Sequence, residues 1–158
     1  MKKIFQISAA VALALAAAFA PASGLSKTGN DKNAKQMKTD KIKLAIKGGR
    51  TFTATLADNS SARALMELLE KGDISIEMED YARMEKVGPL GANLPRNDER
   101  ISTGPGDLIL YQGRNLVIYY APNSWNFTRL GKIDNATHDD LVSALGTGNV
   151  TVTLSACR

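Results

Sequence analysis

The sequence predicts one mainly β domain, an antiparallel barrel or sandwich carrying two short helices. Three observations carry that expectation. Apolar and polar residues alternate with period two in several short stretches, turn-forming residues separate those stretches, and only two segments show helical spacing. The composition agrees, since 44% of the 158 residues are hydrophobic, 23% charged and 6% aromatic, which suits a single compact domain. A single Cys excludes a disulfide framework, and one His beside it leaves no His/Cys metal cluster. No metal or cofactor site is expected.

The chain opens MKKIFQISAAVALALAAAFAPA, two lysines, an apolar run unbroken over residues 9–20, and a small-residue end. This is the three-part form of an export signal, with cleavage expected before Ser23. Its 12-residue run is shorter than the roughly 20 residues that span a bilayer, so a permanent anchor and stable membrane insertion are not expected. Residues 23–41, SGLSKTGNDKNAKQMKTDK, are polar and carry five Lys against two Asp. Too little apolar surface is available there to offset the entropy of ordering, so they read as a flexible tether. The formal charge of +4 belongs to these two segments, and residues 42–158 are left at −1. That remainder has no basic excess for counterion release, which argues against a nucleic-acid partner. The expected location is periplasmic or extracellular.

Within residues 42–158, KIKLAIKGGRTFTATLA alternates on both sides of Gly48-Gly49 and reads as a hairpin with one buried face. Asp58-Asn59-Ser60 offers N-cap candidates for a helix whose apolar stripe is Ala62, Leu65, Met66 and Leu69, stopped by Gly72. Ile74, Ile76 and Met78 mark another strand. Residues 80–106 hold three Pro and four Gly among many charges, and read as one long irregular segment of the kind that often carries function. Strands follow over residues 108–111 and 116–120, around the turn Gln112-Gly113-Arg114-Asn115. A loop over residues 121–125 precedes a strand over 127–133. Thr137-His138-Asp139-Asp140 reads as a capping box opening a helix that ends at Gly146, and Val150, Val152 and Leu154 mark the last strand.

Several residues are candidates for chemistry. Arg83 could bind a carbonyl or carboxylate, with Met84 as a flexible apolar wall and Glu85 orienting the arginine. Tyr111, Tyr119, Tyr120 and Trp125 supply four of the nine aromatic residues within fifteen positions. Tyr119 and Tyr120 should face opposite sides of a strand, one in the core and one at the surface. Tyr111 and Trp125 are the ligand candidates, since such rings join a large apolar face to a polar tip. The charged run at residues 96–100 reads as a polar surface loop, Asp107 as a turn residue, Ser124 as lacking a base, and Cys157 as an unpaired thiol.

The order of these pieces resembles a known family, the small bacterial cyclophilin-like fold proteins. The resemblance rests on Phe52-Thr53-Ala54-Thr55-Leu56 with Asp58-Asn59, Asp80-Tyr81, Glu85-Lys86, Leu90, Leu94-Pro95 and Gly106-Asp107-Leu108. It continues through residues 116–120, Ser124-Trp125, residues 128–133 and Gly148-Asn149-Val150-Thr151-Val152, and so covers residues 42–155. It implies a closed cyclophilin-like antiparallel barrel of about eight strands, one of them near Ile101. Cyclophilins proper are peptidyl-prolyl isomerases that polarise the prolyl amide with an Arg beside an apolar pocket, and their Phe-His-Arg and Phe-Met-Gln strings are absent here. The expected function is therefore a module that binds a peptide or small ligand without strong catalysis. The alternative is a divergent peptidyl-prolyl isomerase using Arg83 or Arg129 as the polarising cation.

Overall fold

The computed structural model describes residues 40–158. The residues read as an export signal, 1–22, and nearly all of those read as a tether, 23–41, lie outside the described residues. Nine strands and two helices follow in chain order: β1 Lys41–Ile46, β2 Thr51–Leu56, α1 Ser60–Lys71, β3 Ile74–Tyr81, β4 Glu85–Pro89, β5 Glu99–Thr103, β6 Asp107–Tyr111, β7 Asn115–Tyr119, β8 Asn123–Ile133, α2 His138–Leu145 and β9 Val150–Ala156. The sheet order is β2-β1-β9-β3-β4-β7-β6-β8, and β2 pairs back onto β8 to close an eight-stranded antiparallel barrel. Closure removes the free edges of those eight strands, leaving β5 as an added strand paired to β8 alone.

Alternation decides which side chains fill the barrel. Ile42, Leu44 and Ile46 of β1, Phe52, Ala54 and Leu56 of β2, and Val152 and Leu154 of β9 all point into one buried core. The helices take opposite ends of β2. The α2 end carries an Arg50–Asp140 pair at 2.8 Å beside the β1–β2 turn. At the other end the cap residue of α1, Asn59, donates to the Arg129 carbonyl at 2.7 Å. Both caps are those the sequence suggested. Asn59 accepts from the Ala62 amide, and Thr137 and Asp140 form a reciprocal capping box that holds the Asp140 carboxyl down at about 2. No helix among the described residues is long and apolar enough to cross a membrane.

The segment over residues 80–106 is more ordered than its composition suggests. It contains the end of β3, all of β4 and all of β5. The strand that completes the barrel is β4, while the strand near Ile101, β5, lies outside the closed ring. The inward positions of β4 are Lys86 and Gly88, so no apolar alternation announces it. Lys86 is fully buried, with its ammonium 2.7 Å from Asp80 and 2.7 Å from the Gly148 carbonyl. The Tyr120 hydroxyl donates to the same Asp80 oxygen at 2.6 Å. Those bonds, first from Lys86 and then from Tyr120, hold the Asp80 carboxyl below its usual range. At Gly88 an added Cβ would lie 2.4 Å from the Glu77 carbonyl oxygen, so only glycine lets β4 approach β3 there.

Strand β8 is eleven residues long and is divided between two tasks. Its second half pairs with β6 and β2 in the barrel wall, and its first half pairs with β5 as a two-stranded ribbon. The halves meet between Phe127, the last residue paired with β5, and Thr128, the first paired with β6, and a register shift at Leu130 falls within the wall half. The polar stretch Asn123-Ser124-Trp125 that reads as a loop is therefore strand, held by β5 on its only paired side. Barrel closure also depends on a glycine, because a Cβ on Gly131 would sit 2.4 Å from the Thr55 carbonyl oxygen. Gly131→Ala should destabilise the domain by at least about 1–3 kcal/mol, the usual cost of overpacking. The control Gly148→Ala, where a Cβ meets open space, should be near neutral in the same denaturant titration. Equal stability of the two variants would contradict closure through the β2–β8 contact.

Candidate functional site

The outer faces of β6 and β7 are apolar in part, as their inner faces are throughout. Leu108, Leu110, Leu116 and Ile118 fill the barrel, while Ile109, Val117 and Tyr119 point outward and are buried all the same. What covers them is the β5–β8 ribbon, whose Phe127 and Ile101 pack on the outer wall together with Met84 and Val87. The Tyr119 and Phe127 rings lie 5.6 Å apart, tilted by 54°. This second, smaller core holds the ribbon against the barrel. Beside it, between the ribbon and the β3–β4 hairpin, lies a cleft of about 680 Å³, a volume within the ordinary range of small-molecule sites.

Each strand contributes its outward residues to the cleft. Glu77, Glu79 and Tyr81 come from β3, Glu85, Val87 and Pro89 from β4, Tyr111 from β6, Asn115, Val117 and Tyr119 from β7, and Asn123, Trp125 and Phe127 from β8. The register explains the grouping. Tyr81 stands opposite Glu85, which stands opposite Tyr119, and Glu79, Val87 and Val117 form the next row across the same three strands. The Tyr119 hydroxyl accepts from the Asn123 amide at 3.1 Å. Burial pushes the Glu85 carboxyl above its usual range, with the Tyr119 hydroxyl opposing the shift in part. Burial, and then the neighbouring Glu85, push the Tyr119 phenol upward as well, so it stays protonated as a donor.

Three of the candidate ligand residues read from the sequence, Glu85, Tyr111 and Trp125, are brought together in this cleft. Trp125 is 60% exposed there. Met84 packs beneath, in the small outer core, and its carbonyl accepts from the Tyr120 and Ala121 amides at 3.0 and 3.1 Å. Arg83 lies elsewhere, exposed at the tip of the β3–β4 turn, where it and Ala82 adopt positive φ of 54° and 51°. Arg129 is paired with Asp107, whose other oxygen accepts from the Gly104 amide at 2.8 Å. Neither arginine lines the cleft, and no Lys, Arg or His does.

The other residues weighed from the sequence have structural partners. Tyr119 and Tyr120 do face opposite sides of the wall, but both are buried, because the ribbon covers the outer one. Arg96 pairs with Asp98, whose carboxylate accepts from Thr128 at 2.6 Å, and Asn97 bonds Ser60 and Ser61, so this run pins the start of α1 to β8. Ser124 shares a hydrogen bond with Ser102 at 2.7 Å. His138 bonds the Tyr120 carbonyl through Nδ1 at 2.6 Å, and Cys157 is a free thiol.

Sequence reasoning missed Glu77, Glu79, Tyr81, Asn123 and Phe127 as cleft residues. A signal was present, since Glu77, Glu79 and Tyr81 occupy alternate positions of one strand and therefore share a face. The continuous apolar runs Leu108-Ile109-Leu110 and Leu116-Val117-Ile118-Tyr119 also signal strands covered on both sides.

The family model described as the Cyclophilin-like family matches residues 45–155. No curated protein matches the chain. Among solved structures the fold resembles McbB, in a structure described as McbB in complex with tryptophan, with a TM-score of 0.52 and 20% identity over 72% of this chain. The chain spans 44% of the length of that protein.

Proposed function

The chain belongs to the cyclophilin-like family, and on that premise we propose that it is a binding module that holds a small organic ligand or a peptide side chain in the cleft outside the barrel. The observation that carries this reading is where the exposed rings lie. Among the described residues four large apolar side chains are exposed, and three of them, Tyr81, Tyr111 and Trp125, line this one cleft. Exposed apolar surface concentrated in a concave site marks a place where something binds. The chemistry offered there is ring faces, carboxylates, amides and a phenol, which are recognition groups. An isomerase of the cyclophilin kind needs a cation at the amide nitrogen, and the cleft supplies none. McbB, whose structure is described with tryptophan, suggests the first probe, since a planar ring carrying a charged group matches these walls in kind.

Backbone amide shifts on titration with L-tryptophan, and with short peptides containing it, should move in β3, β4, β7 and the first half of β8. Trp125→Ala should abolish those shifts while costing well under the roughly 3–5 kcal/mol of deleting a buried large aromatic. Shifts confined to another surface, or binding unchanged by the substitution, would overturn the assignment.

The same reading includes export, supported by the three-part pattern of residues 1–22. Protein recovered from the envelope or medium of the producing cell should have an intact mass lacking those 22 residues. Retention of the leader in that fraction would contradict it.

A further inference from the structure

Resting on the binding role argued above, we propose that the ligand of the outer cleft is an organic cation, an ammonium or guanidinium carried on an apolar stem. Three carboxylates rim the cleft, Glu77, Glu79 and Glu85, and no cationic side chain lines it. The contrast with the rest of the domain is what makes this informative. Every ion pair among the described residues uses an aspartate, at positions 58, 80, 98, 107, 134 and 140, and none uses one of these glutamates. Cations are plentiful, yet the fold directs them to other acids. Acidic residues on a flat strand face would simply be solvated. Here they share a cleft with the exposed rings of Tyr81, Tyr111 and Trp125.

Two physical consequences follow. Glu85 is only partly exposed and has no cation to offset its desolvation, so an arriving positive charge recovers energy that folding left unpaired. Aromatic faces add a cation–π attraction, which favours a soft organic cation with a stem that can lie along the rings. A metal ion would need its ligands to converge on a point, and no group of three metal-ligating side chains among the described residues does so. The negative charge is instead spread along β3 and β4. The same chemistry could come from a free amine or from a lysine or arginine side chain of a peptide.

Calorimetry on the wild-type domain at fixed ionic strength, using indole ligands of matched size, separates the possibilities. Tryptamine should bind at least about tenfold more tightly than neutral indole-3-propionamide, a difference of about 1.4 kcal/mol, and 3-indolepropionate should bind most weakly. The double variant Glu79→Gln with Glu85→Gln should remove the preference while leaving the melting temperature close to wild type. Acetyl-Trp-Lys-amide binding more tightly than tryptamine assigns the cation to a peptide, and the reverse order assigns it to a free amine; either order supports a cation. Equal affinity for the charged and neutral ligands would overturn this inference and leave the binding role standing. Failure of all these ligands to bind would overturn both.

Discussion

The handover between Phe127 and Thr128 lets β8 belong to two sheets at once, and the cleft exists because of it. From Thr128 to Ile133 the strand stays in the wall and meets β2 through Gly131, which closes the ring. From Asn123 to Phe127 it lies off the wall and takes β5 as its partner. Without the departure, β6 and β7 would present Ile109, Val117 and Tyr119 to water, and there would be no second wall opposite the β3–β4 hairpin. The small outer core anchored by Tyr119 and Phe127 fixes the ribbon at the distance that leaves an open cleft beside it.

Charge is sorted across the same wall. Glu85 and Lys86 are neighbours in sequence and point to opposite sides of β4. Inside, the Lys86 ammonium is sealed among Asp80, the Gly148 carbonyl and the barrel core, and the Tyr120 hydroxyl shares its aspartate. Breaking such a buried pair from one side leaves an uncompensated charge, which typically costs about 3–5 kcal/mol. The pair therefore holds β3 and β4 in register and keeps the lysine out of the cleft. Outside, Glu85 has the Tyr119 hydroxyl beside it and no cationic partner. One strand thus contributes a structural cation to the interior and a recognition group to the surface.

Much of this architecture was legible in the sequence, and the failures have physical reasons. Strands with one solvated face announced themselves by alternation, as in Ile42-Lys43-Leu44 and Phe52-Thr53-Ala54, and both helices announced themselves by their caps. Strand β4 did not, because its inward positions hold a paired lysine and a glycine that the Glu77 backbone requires. Strand β5 and the start of β8 did not, because a ribbon outside the barrel carries few buried residues and reads as a polar loop. The site was half legible. Trp125, Tyr111 and Glu85 stood out as rings and a charge in unusual surroundings, but Glu77 and Glu79 looked like any solvated strand face. That they lack cationic partners is a property of the folded arrangement.

The account stands on the location of the ligand, and a crystal structure of the domain with tryptamine tests it most directly. The indole should lie against Trp125 and one of the cleft tyrosines, with its ammonium within hydrogen-bonding distance of Glu85 or Glu79. An indole bound anywhere else, or an ammonium turned to solvent away from those carboxylates, would contradict it.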